Sequence, residues 1–187
     1  MAQWLVFGLI LVFYGALLLH QIKLPASDDL GRHIKNGELV MKGEFRVLDS
    51  NLYSYTEPDS FFANHHWLFG VIAYLLHAAV VFGGIVIFKV VLLLSAFALL
   101  FFIALKRADF WVVATFSIPT LLILMERTSF RPEIFSYLFI VLYLYFLHAA
   151  VEHPEHKQLF CLIALQNSWV NLHIFSVIGA AIARGFI

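Results

Sequence analysis

Cysteine is almost missing from this chain: Cys161 stands alone among 187 residues, so no intrachain disulfide and no cysteine-based zinc cluster can form. Charge is scarce too. Asp, Glu, Lys and Arg make up 13% of residues, against the ~25% usual in soluble domains. The twelve basic and twelve acidic residues cancel at pH 7, which leaves no basic stripe on which nucleic-acid binding could be argued, and no such partner is expected. With ten glycines and five prolines there are few turn signals, and no internal repeat or low-complexity segment is evident. Apolar residues are what the chain has in excess. They reach 62%, against roughly 45–50% in soluble proteins, with a mean hydropathy of +0.88. One oversized core inside a polar shell cannot absorb that surplus, so the chain belongs in a bilayer. Twenty Phe, seven Tyr and four Trp suit lipid-facing helices with interfacial anchors.

The charges are concentrated. Residues 21–66 hold twelve of the 24, from Lys23 to Asp59, in an otherwise apolar protein. Before this loop, Trp4–Leu19 is an unbroken apolar run, a little short of the roughly 17–25 residues that a spanning helix needs but brought into that range by residues 1–3 and His20. No Lys or Arg precedes it and no A-x-A site follows it, which argues against a cleaved signal peptide. After the loop come Trp67–Phe82, Ile85–Leu105, Phe110–Met125, Ile134–Val151 and Leu159–Leu172, then an apolar tail, Ile174–Ile187. Long aliphatic runs without period-2 alternation predict helices rather than barrel strands. The expected fold is all-α: a polytopic membrane helical bundle forming one membrane domain over 1–187. Its first loop, 20–66, is extracytoplasmic and carries an amphipathic helix.

Sidedness follows from parity. If every segment crosses and the N-terminus is cytoplasmic, Lys106, Arg107 and Lys157 fall outside, against the positive-inside tendency. If Trp67–Phe82, which ends at Gly83-Gly84, is instead a juxtamembrane or re-entrant helix returning to the same face, those residues lie inside. Loop 21–66, the turn 126–133 and the stretch 169–173 then share the outer face.

Each of these polar stretches carries candidate chemistry. Ser27-Asp28-Asp29 reads as a helix start, with Ser27 as N-cap and two acids where the macrodipole favours them. Leu30, Ile34 and Met41 recur at spacings of four and seven, predicting a helix over 28–42 that lies on the membrane surface, apolar side down. Asp29 and His33 are then i,i+4 neighbours, as are Asp28 and Arg32. A carboxylate oriented by a histidine could serve as general base or, as Asp28 with Asp29, hold a divalent cation; a capped, ion-paired helix uses the same residues. His65 and His66 could ligate a metal, contact phosphate or flank a Trp67 anchor. Arg127 and Arg131, with Glu126 and Glu133, could clamp a phosphate or form a solvated turn. Asn167, Trp169, Asn171 and His173 place polar groups where a helix end should be apolar, facing a cavity or another helix. Lys89 is expected to snorkel.

These residues carry a resemblance. The order D-D-L-x-x-H-I-x-x-G-E from Asp28, then D-S-N-L-Y-S-Y-T, N-H-H-W-L, E-R-x-S-F-R-P-E and W-V-N-L-H, is similar to bacterial multi-pass proteins of the membrane-embedded C-type glycosyltransferase superfamily (GT-C). The resemblance implies a catalytic acid in the first outer loop, Asp29 or Asp28, and sugar transfer from a polyprenyl-phosphate donor at the extracytoplasmic face of the bacterial inner membrane. Read by their own chemistry, Arg127, Arg131, His65, His66, Asn171 and His173 are the candidate contacts to that donor. Such proteins are several times longer, so the chain is expected to be an N-terminal part. Asp29, with His33 on its face, is the favoured base. Two other classes stay open: a non-catalytic membrane subunit, and a transporter, against which stands the clustering of charge in loops.

The parity argument predicts that single cysteines at Ser50, Ser129 and Ser168, in a Cys161→Ala background, react with an impermeant thiol reagent from the same side of the membrane. Labelling at position 50 without labelling at 129 overturns it.

Overall fold

The computed structural model describes residues 2–21, 29–127, 129–152 and 156–186. Seven α-helices carry them: α1 (Ala2–Gln21), α2 (Leu30–Met41), α3 (Trp67–Leu105), α4 (Phe110–Met125), α5 (Glu133–Glu152), α6 (His156–Leu172) and α7 (Val177–Gly185), with 3-10 turns at Phe45–Leu48 and Ile174–Ser176. Among the described residues, the β structure is one antiparallel bridge between Ser50 and Phe61. The fold is all-helical, as the aliphatic runs predict. Among the described residues, three helices are long and apolar enough to cross a membrane: Ala2–His20, Trp67–Leu105 and Glu133–Glu152.

α3 is two helical arms joined at a kink, where the chain reverses direction. Val81 has φ 55° and ψ −168°, a left-handed backbone that a β-branched residue rarely adopts. Nineteen residues of unbroken helix would hold Phe69 and Phe88 about 28 Å apart. Their rings instead lie 5.1 Å and 6.2 Å from the same Phe130 ring. Arms 67–80 and 82–105 therefore fold back on each other, and His77 meets Phe82 across the bend at 4.6 Å. The sequence points to Gly83-Gly84 as the break, yet the positive φ falls on Val81. Gly84 contributes space rather than rotation. A Cβ there would sit 2.1 Å from Val80 Cγ2, so its hydrogen is what lets the bend close.

α1 packs along the second arm, with Phe7 against Phe101 at 4.7 Å and Gly15 against Leu94. Its buried stripe, Phe7, Tyr14 and Leu18, recurs at spacings of seven and four, while Leu5, Leu9, Val12 and Phe13 face outward. In α4, Pro119 removes one helical donor, and the hydroxyls of Thr115, Ser117 and Thr120 donate to backbone carbonyls around it. α5 lies between the second arm of α3 and α6, and the fully buried Trp169 of α6 packs on its Phe139 and Tyr143.

The bundle has two ends. At one, Arg107 pairs with Glu152 at 2.9 Å, Lys106 lies over the Tyr145 ring, and Phe186 meets His148. At the other, loop 29–66, residues 126–127 and 129–133, and residues 169–173 converge. α2 turns inward there. Leu30, His33, Asn36 and Gly37 are buried while Met41 is exposed, a different stripe from Leu30, Ile34 and Met41. The cause is close approach: a Cβ on Gly37 would stand 2.0 Å from the Gly70 carbonyl oxygen, so the two backbones touch.

Gly37→Ala is expected to force these helices apart and lower stability in detergent by about 1–3 kcal/mol. Gly31→Ala, on the open face of α2 with nothing near its would-be Cβ, is expected to raise it by up to about 1 kcal/mol. Melting midpoints that move the same way for both variants would contradict the packing argument.

Candidate functional site

The site begins at the start of α2. Asp29 is its N-cap residue, but its side chain makes no capping hydrogen bond; the backbone carbonyl accepts from His33 N–H at 3.0 Å. The carboxylate instead reaches Arg32 at 3.1 Å. The expected Asp29–His33 pairing is thus replaced by Asp29–Arg32, because the His33 ring is turned into the α2–α3 contact. Asp28 and Ser27 lie outside the described residues.

His33 packs edge-on against Phe69 at 4.9 Å and faces His66 at 5.9 Å. His66, the residue before α3, faces His173 at 5.3 Å, and the exposed His65 is 6.4 Å from His66. Asn171 accepts from Trp67 Nε1 at 2.8 Å, tying α6 to the start of α3. Ser136 of α5 accepts from Trp169 Nε1 at 2.9 Å and lies 3.3 Å from His173 Nδ1. Three stretches far apart in sequence thereby meet. Arg131 brings its charge within reach of His33, and Arg127, half-exposed, pairs with Glu133 at 3.4 Å.

Two partners here carried no strong sequence signal. Lys89 does not snorkel: it is fully buried, and its ammonium donates to the Arg127 carbonyl, fastening the second arm of α3 to the turn. Asn36, also buried, accepts from Tyr53 Oη at 2.5 Å, which holds the loop over α2. Only the fold brings these atoms together.

Two cavities adjoin the site. A polar cleft of about 120 Å³ lies between Arg32, Asn36, Ser50, Asn51, Tyr53 and Phe62. An apolar groove of about 480 Å³ runs from Leu68 and Leu172 along Phe88, Leu92 and Phe139. Among the described residues, no group of three or more His, Cys, Asp or Glu converges in metal-holding geometry. The imidazoles form a file, and Asp29, the described member of the expected cation pair, is engaged by Arg32.

Burial holds both His33 and His66 down to about 4, below the ordinary 6.5. For His33 the Arg32 charge adds to burial and Asp29 opposes it; for His66 the neighbouring His173 and His65 add. His173 is lowered by burial, with Glu133 opposing. The row is neutral at pH 7.

No protein-family model, curated protein or solved structure matches the chain.

The lowered values set a pH dependence. The unfolded chain takes up protons at these histidines near pH 6.5, whereas the fold resists protonation until about 4. Stability is therefore full above pH 6.5 and is lost as pH falls through this window. Melting midpoints in detergent are expected to drop between pH 7 and 5, with a shallower drop in His66→Gln. A midpoint that rises on acidification would contradict neutral burial.

Proposed function

We propose that this chain is part of a bacterial inner-membrane glycosyltransferase of the GT-C type, moving a sugar from a polyprenyl-phosphate donor to an acceptor hydroxyl at the extracytoplasmic face. The observation that carries the reading is the meeting of acid, arginines and imidazoles from three distant stretches at one end of the bundle, beside an apolar groove. Bilayer embedding is supported by the exposed apolar surface. Val12, Phe116 and Phe160 are each at least 70% exposed, while Lys89, Ser136 and His173 are buried, the reverse of a soluble domain.

In this reading the lipid chain lies along the groove that starts at Leu68 and Leu172, and its phosphate stands at the row of histidines near Arg131, with Arg127 beside it on the same turn. Asp29, held by Arg32 at the mouth of the polar cleft, takes the proton of an acceptor hydroxyl seated there. A divalent cation at Asp28 and Asp29 belongs to the same proposal and would screen the phosphate charge. Acceptance of a proton by a positioned carboxylate contributes 10²–10⁴-fold in general.

Asp29→Asn preserves shape and removes proton acceptance. Transfer from a polyprenyl-phosphate sugar by the full-length protein is expected to fall about 10²–10⁴-fold, with donor binding retained. Arg127→Ala is expected to weaken donor binding instead, since it removes a charge-assisted contact. Near wild-type turnover in Asp29→Asn reassigns the base to Asp28. The same result in the double variant, Asp28→Asn with Asp29→Asn, overturns the enzymatic reading.

A further inference from the structure

The file of imidazoles holds one atom that the fold leaves unsatisfied. His173 Nδ1 has Ser136 Oγ and the Phe175 N–H beside it. Nδ1 of His33, by contrast, is buried in a residue only 6% exposed and has no hydrogen-bond partner among the described residues. A buried polar nitrogen in that state is costly unless a ligand completes it.

The charges around the file are uneven. Arg32 on α2 and Arg131 on the 126–133 turn bring positive charge to His33, and Arg32 also acts on His66. Among the described residues, the carboxylates facing the file are Asp29 at the start of α2, bridged to Arg32, and Glu133 on α5, which pairs with Arg127 and lies toward His173. His65 from the loop and His173 after α6 complete the titratable groups around His66. One end of the file thus carries an unsatisfied ring nitrogen, at His33, within reach of the Arg32 and Arg131 charges, with Asp29 bridged to Arg32.

We propose that this file is the seat of a lipid phosphate and that His66 takes up a proton as the phosphate binds. The identity of the ligand rests on the glycosyl-transfer reading; the proton uptake does not. Without an anion, burial and neighbouring positive charge keep His66 neutral. A phosphate oxygen beside it favours the imidazolium, while His33, as the tautomer protonated on Nδ1, donates to a second oxygen. The uptake also suits the reaction. As the acceptor oxygen bonds to the sugar C1 and gives its proton to Asp29, the bond from C1 to the phosphate oxygen breaks. Its electron pair stays on that oxygen, and the phosphate passes from one negative charge to two. Protonated His66 is the counter-charge already in place.

The test uses the full chain in lipid nanodiscs and two probes: a short-chain polyprenyl phosphohexose, and a methyl phosphohexose without the lipid. Both are phosphodiesters, whose single charge does not change between pH 7 and 5, so any pH dependence belongs to the protein. The lipid probe is expected to bind about tenfold more tightly per pH unit on acidification, the slope for one proton taken up. Calorimetry in buffers of different ionisation enthalpy is expected to show uptake of about one proton per ligand. His66→Gln is expected to bind with a flat profile, which assigns the proton to His66, while a flat wild-type profile overturns the uptake whether or not that variant folds. Equal affinity at every pH, or an unchanged slope in His66→Gln, overturns proton uptake at His66 and leaves the transfer reading standing. Binding of the soluble probe as tight as that of the lipid probe overturns the lipid seat. Binding of neither probe at any pH overturns both the seat and the donor assignment.

Discussion

The backbone contact between Gly37 and Gly70 is the constraint on which the polar end of this protein depends. Two helices can touch in this way only where neither carries a Cβ, and the space above Gly37 is already filled by the Gly70 carbonyl. The contact fixes the rotation of α2. It turns His33 and Asn36 inward and leaves Asp29 and Arg32 at the edge. It also sets the first arm of α3 in place, so that Phe69 meets both His33 and Phe130. Through Phe130 the 126–133 turn is drawn to the same spot, and Lys89 locks that turn from the second arm.

Polar groups in this chain act as registration marks because their surroundings are so apolar. In a core built of Phe, Leu and Val, many packings have similar energies, since one aliphatic contact replaces another at little cost. A buried donor is less forgiving: left unpaired it costs about 1–3 kcal/mol. Lys89 to the Arg127 carbonyl, Trp169 to Ser136, Trp67 to Asn171 and Tyr53 to Asn36 each have a defined partner. Together they specify which helix ends meet. Outward-facing positions along the apolar helices, such as Val12, Phe116 and Phe160, are aliphatic or aromatic.

The same constraint changes the chemistry read from spacing alone. Asp29 has neighbours at i+3 and i+4, and an isolated helix would allow it either one. The fold buries His33 and leaves Arg32 half-exposed, so the carboxylate takes the arginine. Histidine thereby ceases to be the partner of the acid and joins a file of neutral imidazoles reaching toward α6. The acid's partner Arg32 lines the polar cleft, while the apolar groove begins at Leu68 and Leu172, next in sequence to the residues around the file.

The amino-acid sequence by itself determined that this chain is helical, where its apolar segments run, that a loop helix follows the first of them, and which stretches are polar enough to matter. All of these are local properties: run length, periodicity and the position of charge along the chain. It also pointed to a return of the segment after Trp67, because positive charges would otherwise fall on the unfavourable side. Only the tertiary structure decided that the bend falls on Val81 while Gly84 makes room for it, that α2 buries its glycine and histidine face, and that Lys89 stays inside. Those outcomes depend on what each residue meets from elsewhere in the chain: Val80 beneath Gly84, Gly70 against Gly37, and the Arg127 carbonyl above Lys89. Spacing along a helix identifies the residues that share a face; the backbone packed against that face selects the one that turns inward.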